Sequence, residues 1–199
     1  RRIFMSDMPT PDAKLQLLQL GIRRLTEAGY VYIGMDHFAK PDDELAVAQR
    51  QGRLHRNFQG YSTYADCDML SFGISSISKV GPTYSQNVKT LDDYYDRLDN
   101  GVLPVMRGIE LTPDDLLRRS IIQALMCHFE LSIESIESAY LIDFHTYFEA
   151  ELEDMKEMER AGLLKVEREW ITVLPPGRML VRIISMVFDR YLRADRQRT

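Results

Sequence analysis

The sequence predicts a mixed helix-and-sheet protein in two parts, α/β over residues 1–105 and α+β over residues 106–199. In the first part, helical and strand patterns alternate with short connections, the order that builds parallel α/β layers. In the second, helices give way to two short alternating strands and a further helix, the order of a winged helix. A third observation limits the first part: two helix–strand units cannot close a sheet, so it reads as the C-terminal part of a (β/α) barrel.

The elements follow in order. Thr10-Pro11 offers an N-cap and a proline at the first helical position, and Leu15, Leu18, Ile22 and Leu25 recur at helical spacing up to Gly29. Tyr30-Val31-Tyr32-Ile33-Gly34-Met35 has the β-branched and aromatic composition of a strand. Asp42-Asp43-Glu44 is an acidic helix start for residues 46–51, stopped by Gly52. A second strand is expected over residues 69–77. Thr112-Pro113-Asp114-Asp115 opens a helix with Leu117, Ile121, Leu125 and Met126 inward. One long helix is expected to carry Phe144, Phe148, Leu152, Met155 and Met158 to Gly162. Residues 163–166 and 170–173 are the ribbon, and Pro175-Pro176-Gly177 breaks it before a last helix with Leu180, Val181, Ile184, Val187 and Phe188.

Composition narrows the function classes. An apolar share of 45% with 28% charged residues suits a globular core, not a disordered chain. Lys+Arg 25 against Asp+Glu 30 gives a net charge of −5, the wrong sign for a nucleic-acid binder. No run of about 18 apolar residues exists to span a membrane. Arg1-Arg2 leads only to Ile3-Phe4-Met5, so no secretory leader is expected. The two cysteines, Cys67 and Cys127, suit a reducing cytoplasm and are too few to ligate an iron–sulfur cluster. Because the first residue is Arg1, the chain is expected to be a piece of a longer protein.

Several constellations could carry chemistry. Asp36 and His37 stand where the 30–35 strand ends, the position of active-face residues in a parallel barrel, or else cap the next turn. Arg53 and His55-Arg56-Asn57-Phe58-Gln59-Gly60-Tyr61 gather cations, amides, an imidazole and two aromatics. Such a fork of donors suits a carboxylate-rich ligand, while the plain alternative is a polar surface loop. Ser75-Ser76-Ile77-Ser78-Lys79 follows Gly73 and could admit an anion beside Lys79, or be an ordinary serine-rich turn. Asp66-Cys67-Asp68 is a poor metal site, since contiguous residues rarely all face one ion. His128 and His145 read as flanks of a helical core, and Arg190, Arg193, Arg196 and Arg198 as a helix end favoured by its dipole without a partner.

Residues 32–45 and 54–61 together resemble the oxygen-independent coproporphyrinogen III oxidases, a radical S-adenosylmethionine family also called coproporphyrinogen dehydrogenases. The likeness continues through residues 73–78, Tyr84-Ser85-Gln86-Asn87, Arg107-Gly108 and residues 178–192, covering nearly the whole chain. It implies the last part of a radical-SAM barrel followed by the helical C-terminal domain. The family's CxxxCxxC motif, which holds a 4Fe–4S cluster that binds S-adenosylmethionine, does not occur in these 199 residues.

By the same resemblance, Ile77 matches a position contacting S-adenosylmethionine and Gln59 an active-site glutamine. The implied reaction converts two propionates of coproporphyrinogen III to vinyls, giving protoporphyrinogen IX for haem synthesis. The resemblance implies that an electron from the cluster cleaves S-adenosylmethionine to a 5′-deoxyadenosyl radical, which takes a hydrogen from the propionate β-carbon. It implies too that loss of CO₂ and of one electron to an acceptor leaves the vinyl. The substrate's four carboxylates would then make Arg53, His55, Arg56, Asn57, Tyr61 and Lys79 substrate-binding residues. The full-length enzyme is expected to be cytoplasmic and monomeric. This chain alone is expected to be inactive and to self-associate through its first half, with no nucleic-acid or membrane partner. Two rivals stand beside this reading: a haem chaperone on the same scaffold, and a winged-helix nucleic-acid module over residues 106–199. The acids Glu149, Glu151, Glu153, Asp154, Glu157 and Glu159 would repel phosphates from the latter.

Overall fold

The computed structural model describes residue 4, residues 7–65 and residues 67–196, the last three of these for the backbone alone. The basic start Arg1-Arg2, Ile3, Met5, Asp66, the Arg196 side chain and Arg198 lie outside the described residues.

Helix α1 (Pro11–Glu27) begins where its cap predicts, with Thr10 Oγ1 accepting the Ala13 N–H at 3.2 Å. Strand β1 (Val31–Gly34) does not lie in a parallel sheet. It pairs antiparallel with β2 (His37–Ala39), and Met35 and Asp36 form the turn between them. A two-residue link can only return a strand on itself, whereas a parallel neighbour needs a long crossover. Asp36 and His37 therefore sit at a hairpin tip rather than on a barrel's active face, with His37 Nδ1 2.7 Å from the Asp36 carboxylate. Helix α2 (Glu44–Arg50) is capped by Asp43, whose carboxylate accepts the Leu45 N–H at 2.9 Å, and its Gln49 amide donates to the Ile33 carbonyl at 2.7 Å.

A second hairpin follows, β3 (His55–Asn57) with β4 (Gly60–Ser62), turning at Phe58 and Gln59. The strand expected over residues 69–77 does not form. Met69 makes one isolated bridge to Lys79, and residues 71–76 fold into a loop tied by its own side chains. Ser76 Oγ donates to the Gly73 carbonyl at 2.8 Å, and the Asn87 amide donates to Gly73 O at 3.0 Å. Ser76 thus ties this loop together. The regular strand starts at Ile77: β5 (Ile77–Val80), β6 (Thr83–Asn87) and β7 (Val105–Glu110) make an antiparallel sheet, with α3 (Leu91–Asp99) crossing between the last two.

The second half opens with α4 (Pro113–His128), closed at its start by a reciprocal box of Thr112 and Asp115. Strand β8 (Glu130–Ser132), α5 (Ile133–Tyr140) and α6 (Phe144–Tyr147) follow. The expected long helix is broken: Phe148, at φ −109° and ψ 26°, separates α6 from α7 (Glu149–Arg160) and turns its ring into the core. Strands β9 (Leu164–Val166) and β10 (Trp170–Val173) form the expected ribbon, with β8 added on the far side of β10. Helices with this three-stranded antiparallel wing are the winged-helix-like arrangement. Residues Pro175–Arg178 are not a break but a helical turn, α8, since proline suits the first turn of a helix. The last helix is segmented into α9 (Val181–Ser185), a 3₁₀ turn (Met186–Phe188) and α10 (Arg190–Arg196).

Two cores result. The larger gathers Leu117, Ile121, Leu125, Phe144, Phe148, Met155, Ile171 and Phe188, among others, with Tyr32 and Met35 of the first hairpin against it. The smaller joins Ile33, Ala39, Ala46, Ala48 and Leu54 to Cys127 of α4. Helix α4 thus carries residues of both cores. The fold is mixed helix and sheet, and no barrel closes among the described residues.

Candidate functional site

Helix α4 presents a second stripe beside its core-facing one, with Ile122 at the margin of the larger core. Arg119, Ile122, Gln123 and Met126 recur at i, i+3, i+4 and i+7, the spacing of one helical stripe. Hairpin β3–β4 is fastened across it by the Gln123 amide, which accepts the Arg56 N–H at 3.0 Å and donates to the Arg56 carbonyl at 2.6 Å. Tyr61 makes a second fastening, its hydroxyl donating to the Met126 carbonyl at 3.1 Å. The third wall is the sheet, through Lys79 of β5 and Tyr84 of β6. Together they enclose a pocket of about 160 Å³ with His55, Arg56, Asn57 and Phe58 at its rim.

Wider clefts open from it on either side. One of about 670 Å³ shares His55, Lys79, Arg119 and Gln123 with the pocket. Another, of about 370 Å³, runs along the sheet past Ile77, Ser85, Gln86 and Arg107. Phe58 and Tyr84 stand between the pocket and this second cleft, their rings edge to face at 5.1 Å. A concave, partly apolar site with a few converging polar groups is what small-molecule binding requires.

Among the described residues, the small pocket is lined by three cations, Arg56, Lys79 and Arg119, and by no acid. Burial raises the Tyr84 phenol, a shift the nearby Arg119 opposes, and burial likewise raises Tyr61. Both are neutral hydroxyls at physiological pH. The Cys127 thiol is pushed up to about 12 by burial and is no nucleophile. Asp68, on the wall of the wider cleft, accepts the Gly81 N–H at 2.8 Å.

The residues singled out from the sequence separate here. His55, Arg56, Asn57 and Lys79 line the small pocket. Ile77 lines the cleft on the other side of Phe58. Gln59 is exposed at the hairpin tip, where its N–H donates to the Asn57 side chain at 2.8 Å. Tyr61 is a fastener, packed against His37 and bonded to α4. Arg53 is turned aside onto the Gln51 side chain and lines none of these cavities. Arg119, Gln123 and Tyr84 were not legible as site residues. The signal for the first two was the second stripe on α4, masked by the stronger Leu117, Ile121, Leu125 repeat.

Of the arginines near the C-terminus, Arg190 and Arg193 are held by acids within the chain, in addition to any favour from the helix dipole. Arg190 pairs with Asp114 at 2.8 Å and Asp115 at 3.3 Å, and Arg193 with Asp154 at 3.2 Å. Among the described residues, no group of three His, Cys, Asp or Glu could hold a metal ion. Cys67 is exposed and Cys127 buried, and both are free thiols, so these residues do not fit an iron–sulfur cluster.

Residues 111–180 match the model of the HemN C-terminal domain. Beyond it, the whole chain is similar to curated proteins named oxygen-independent coproporphyrinogen III oxidase. That of Pseudomonas aeruginosa is 49% identical over 199 residues, covering 100% of this chain and 43% of the relative. That of Synechocystis is 50% identical over 192 residues, covering 94% and 41%. Among solved structures, coproporphyrinogen III oxidase (HemN) from Escherichia coli, described as a radical SAM enzyme, matches with a TM-score of 0.89 and 48% identity. That match covers 95% of this chain and 44% of the other. The chain therefore spans about two-fifths of the length of these relatives, and the likeness to HemN extends over the hairpins and sheet as well as the C-terminal domain.

Proposed function

We propose that the chain supplies the C-terminal part of an oxygen-independent coproporphyrinogen III oxidase, which oxidatively decarboxylates two propionates of coproporphyrinogen III in the cytoplasm during haem synthesis. The observation that carries this reading is the meeting of the two resemblance segments at Phe58. Ile77 lies in the cleft on one side of that ring, and His55, Arg56, Asn57 and Lys79 surround the pocket on the other.

In this reading Ile77 offers an apolar contact to S-adenosylmethionine, and the exposed Gln59 amide at the hairpin tip offers a donor and an acceptor at the active site. S-adenosylmethionine supplies hydrogen-abstraction chemistry when bound. This chain's residues contribute position, charge and exclusion of water. The Gln123 and Tyr61 fastenings hold the hairpin to α4, so that donors on β3 keep their place relative to Lys79. The cluster's ligands come from residues other than these 199, and the chain alone is inactive. The electron donor and acceptor likewise lie elsewhere.

A chimaera tests this. The present 199 residues replace the corresponding part of the Pseudomonas aeruginosa relative, and anaerobic conversion of coproporphyrinogen III is followed with S-adenosylmethionine and a reductant. The chimaera should turn over, and Gln59→Ala within it should lower turnover far more than thermal stability. A folded, cluster-loaded chimaera without activity would overturn the proposal, and undiminished turnover in Gln59→Ala would remove that residue's role.

A further inference from the structure

We infer that Arg119 of α4 is a carboxylate-anchoring residue of the cleft, acting with Lys79 and Arg56, so that the helical half of the chain binds substrate directly. The inference deepens the preceding proposal and takes the tetracarboxylate nature of the ligand from it. The observation is a contrast in how this protein treats its inner cations. Arg118 pairs with Asp114 at 3.0 Å and Glu151 at 2.9 Å, and Arg190 and Arg193 are paired with the same acidic group. Arg119, one residue on, points about 100° away around the helix. There, among the described residues, Arg119, Lys79 and Arg56 have no carboxylate partner at all, although each is half-buried.

Their surroundings make this absence informative. Arg119 lies over the Tyr84 ring at 5.7 Å and Arg56 over the Tyr61 ring at 5.5 Å, which orients both guanidinium groups without neutralising them. The Arg56 Nε is buried and makes no hydrogen bond. Converging, partly dehydrated cations repel one another, and an anion removes that cost. Size selects the anion. The pocket of about 160 Å³ is too small for a tetrapyrrole and roomy for one propionate arm. The adjoining cleft of about 670 Å³, within the usual range for small-molecule sites, shares Arg119 and Lys79 with it. The ring body in the wider cleft with one arm in the pocket therefore brings a carboxylate to both cations.

The test uses the 199-residue chain with two probes: coproporphyrin III, the stable oxidised tetra-acid, followed by fluorescence, and propionate, followed through the Arg119 Nε–H resonance. Arg119→Gln should weaken coproporphyrin binding by about tenfold or more, Arg119→Lys by less, and the exposed Lys156→Gln not at all. The tetramethyl ester should not distinguish wild type from Arg119→Gln. Propionate should shift the Arg119 signal in wild type and not in Lys79→Gln. Unchanged coproporphyrin affinity in a folded Arg119→Gln overturns the anchor and leaves the preceding proposal standing. A propionate response without coproporphyrin binding keeps the anchor and counts against the tetrapyrrole. Response to neither probe overturns the anchor.

Discussion

Cys127 and Cys67 show how far position decides the chemistry of a side chain. Cys127 is wholly buried in the smaller core, with its thiol pushed up to about 12, while Cys67 is exposed. At pH 8 a disulfide reagent should modify Cys67 within minutes and Cys127 only as fast as the protein opens. Equal rates for the two thiols would show that α4 does not seal that core. Gly34 is as constrained. Its φ of 151° is a glycine conformation, and a Cβ there would land on the Tyr61 hydroxyl. Gly34→Ala should cost about 2–4 kcal/mol in chemical denaturation, by backbone strain and loss of the Tyr61 fastening together. A change below about 1 kcal/mol would mean the hairpins can move apart freely. None of this was readable from residue types, because the Tyr61–Gly34 contact joins two hairpins and the hydroxyl's acceptor is a backbone carbonyl on a helix far along the chain.

Helix starts were legible from the sequence and strand pairing was not. Thr10, Asp43 and Thr112 each cap the helix their local pattern marks, because a cap is a hydrogen bond across three residues or fewer. Parallel and antiparallel strands share one composition, so residues 30–35 carried no mark of their hairpin. The three-residue strand β8 and the break at Phe148 depend on distant partners and were also missed. Thr112→Ala should cost about 1–2 kcal/mol in thermal unfolding, since it opens both halves of the box with Asp115. The attachment of α10 adds a pH dependence. Burial would raise Asp114 and Asp115, but hydrogen bonds to Asp114 from Tyr147, Arg118 and Arg190, and to Asp115 from Thr112 and Tyr191, hold both below the ordinary carboxylate range. A lowered native value gives stability that is complete above that range and is lost as pH falls through the native values. Tyr191 fluorescence and α10 exchange rates should therefore report undocking below about pH 4, before α4 unfolds. Retention of α10 down to global acid unfolding would mean these acids do not hold it.

Helices α1 and α3 bury none of their residues among those described, and Leu17, Leu20, Leu91 and Tyr95 are open to solvent. At the scale of the whole molecule, exposed apolar faces of this kind favour association. Sedimentation should show concentration-dependent self-association that charged substitutions at Leu17 and Tyr95 abolish, while a strict monomer at all concentrations would show that these faces are neutral. Hydrogen exchange should be slowest in α4 and β10, which carry fully buried residues, and fastest in α1 and α3. No helix among the described residues is long and apolar enough to cross a membrane. The shared helix α4 has a consequence for how this protein tolerates changes of length. One side serves the larger core through Leu117, Ile121 and Leu125, another serves the smaller core through Cys127, and a third faces the cleft through Arg119 and Gln123. All three assignments depend on one rotational phase. Inserting a single residue after Ser120 rotates everything beyond it by about 100° and misaligns three surfaces together, whereas the same insertion at Arg168, in the turn between β9 and β10, disturbs one ribbon. Descendants of this sequence can lengthen at their turns, but through α4 they are confined to substitution.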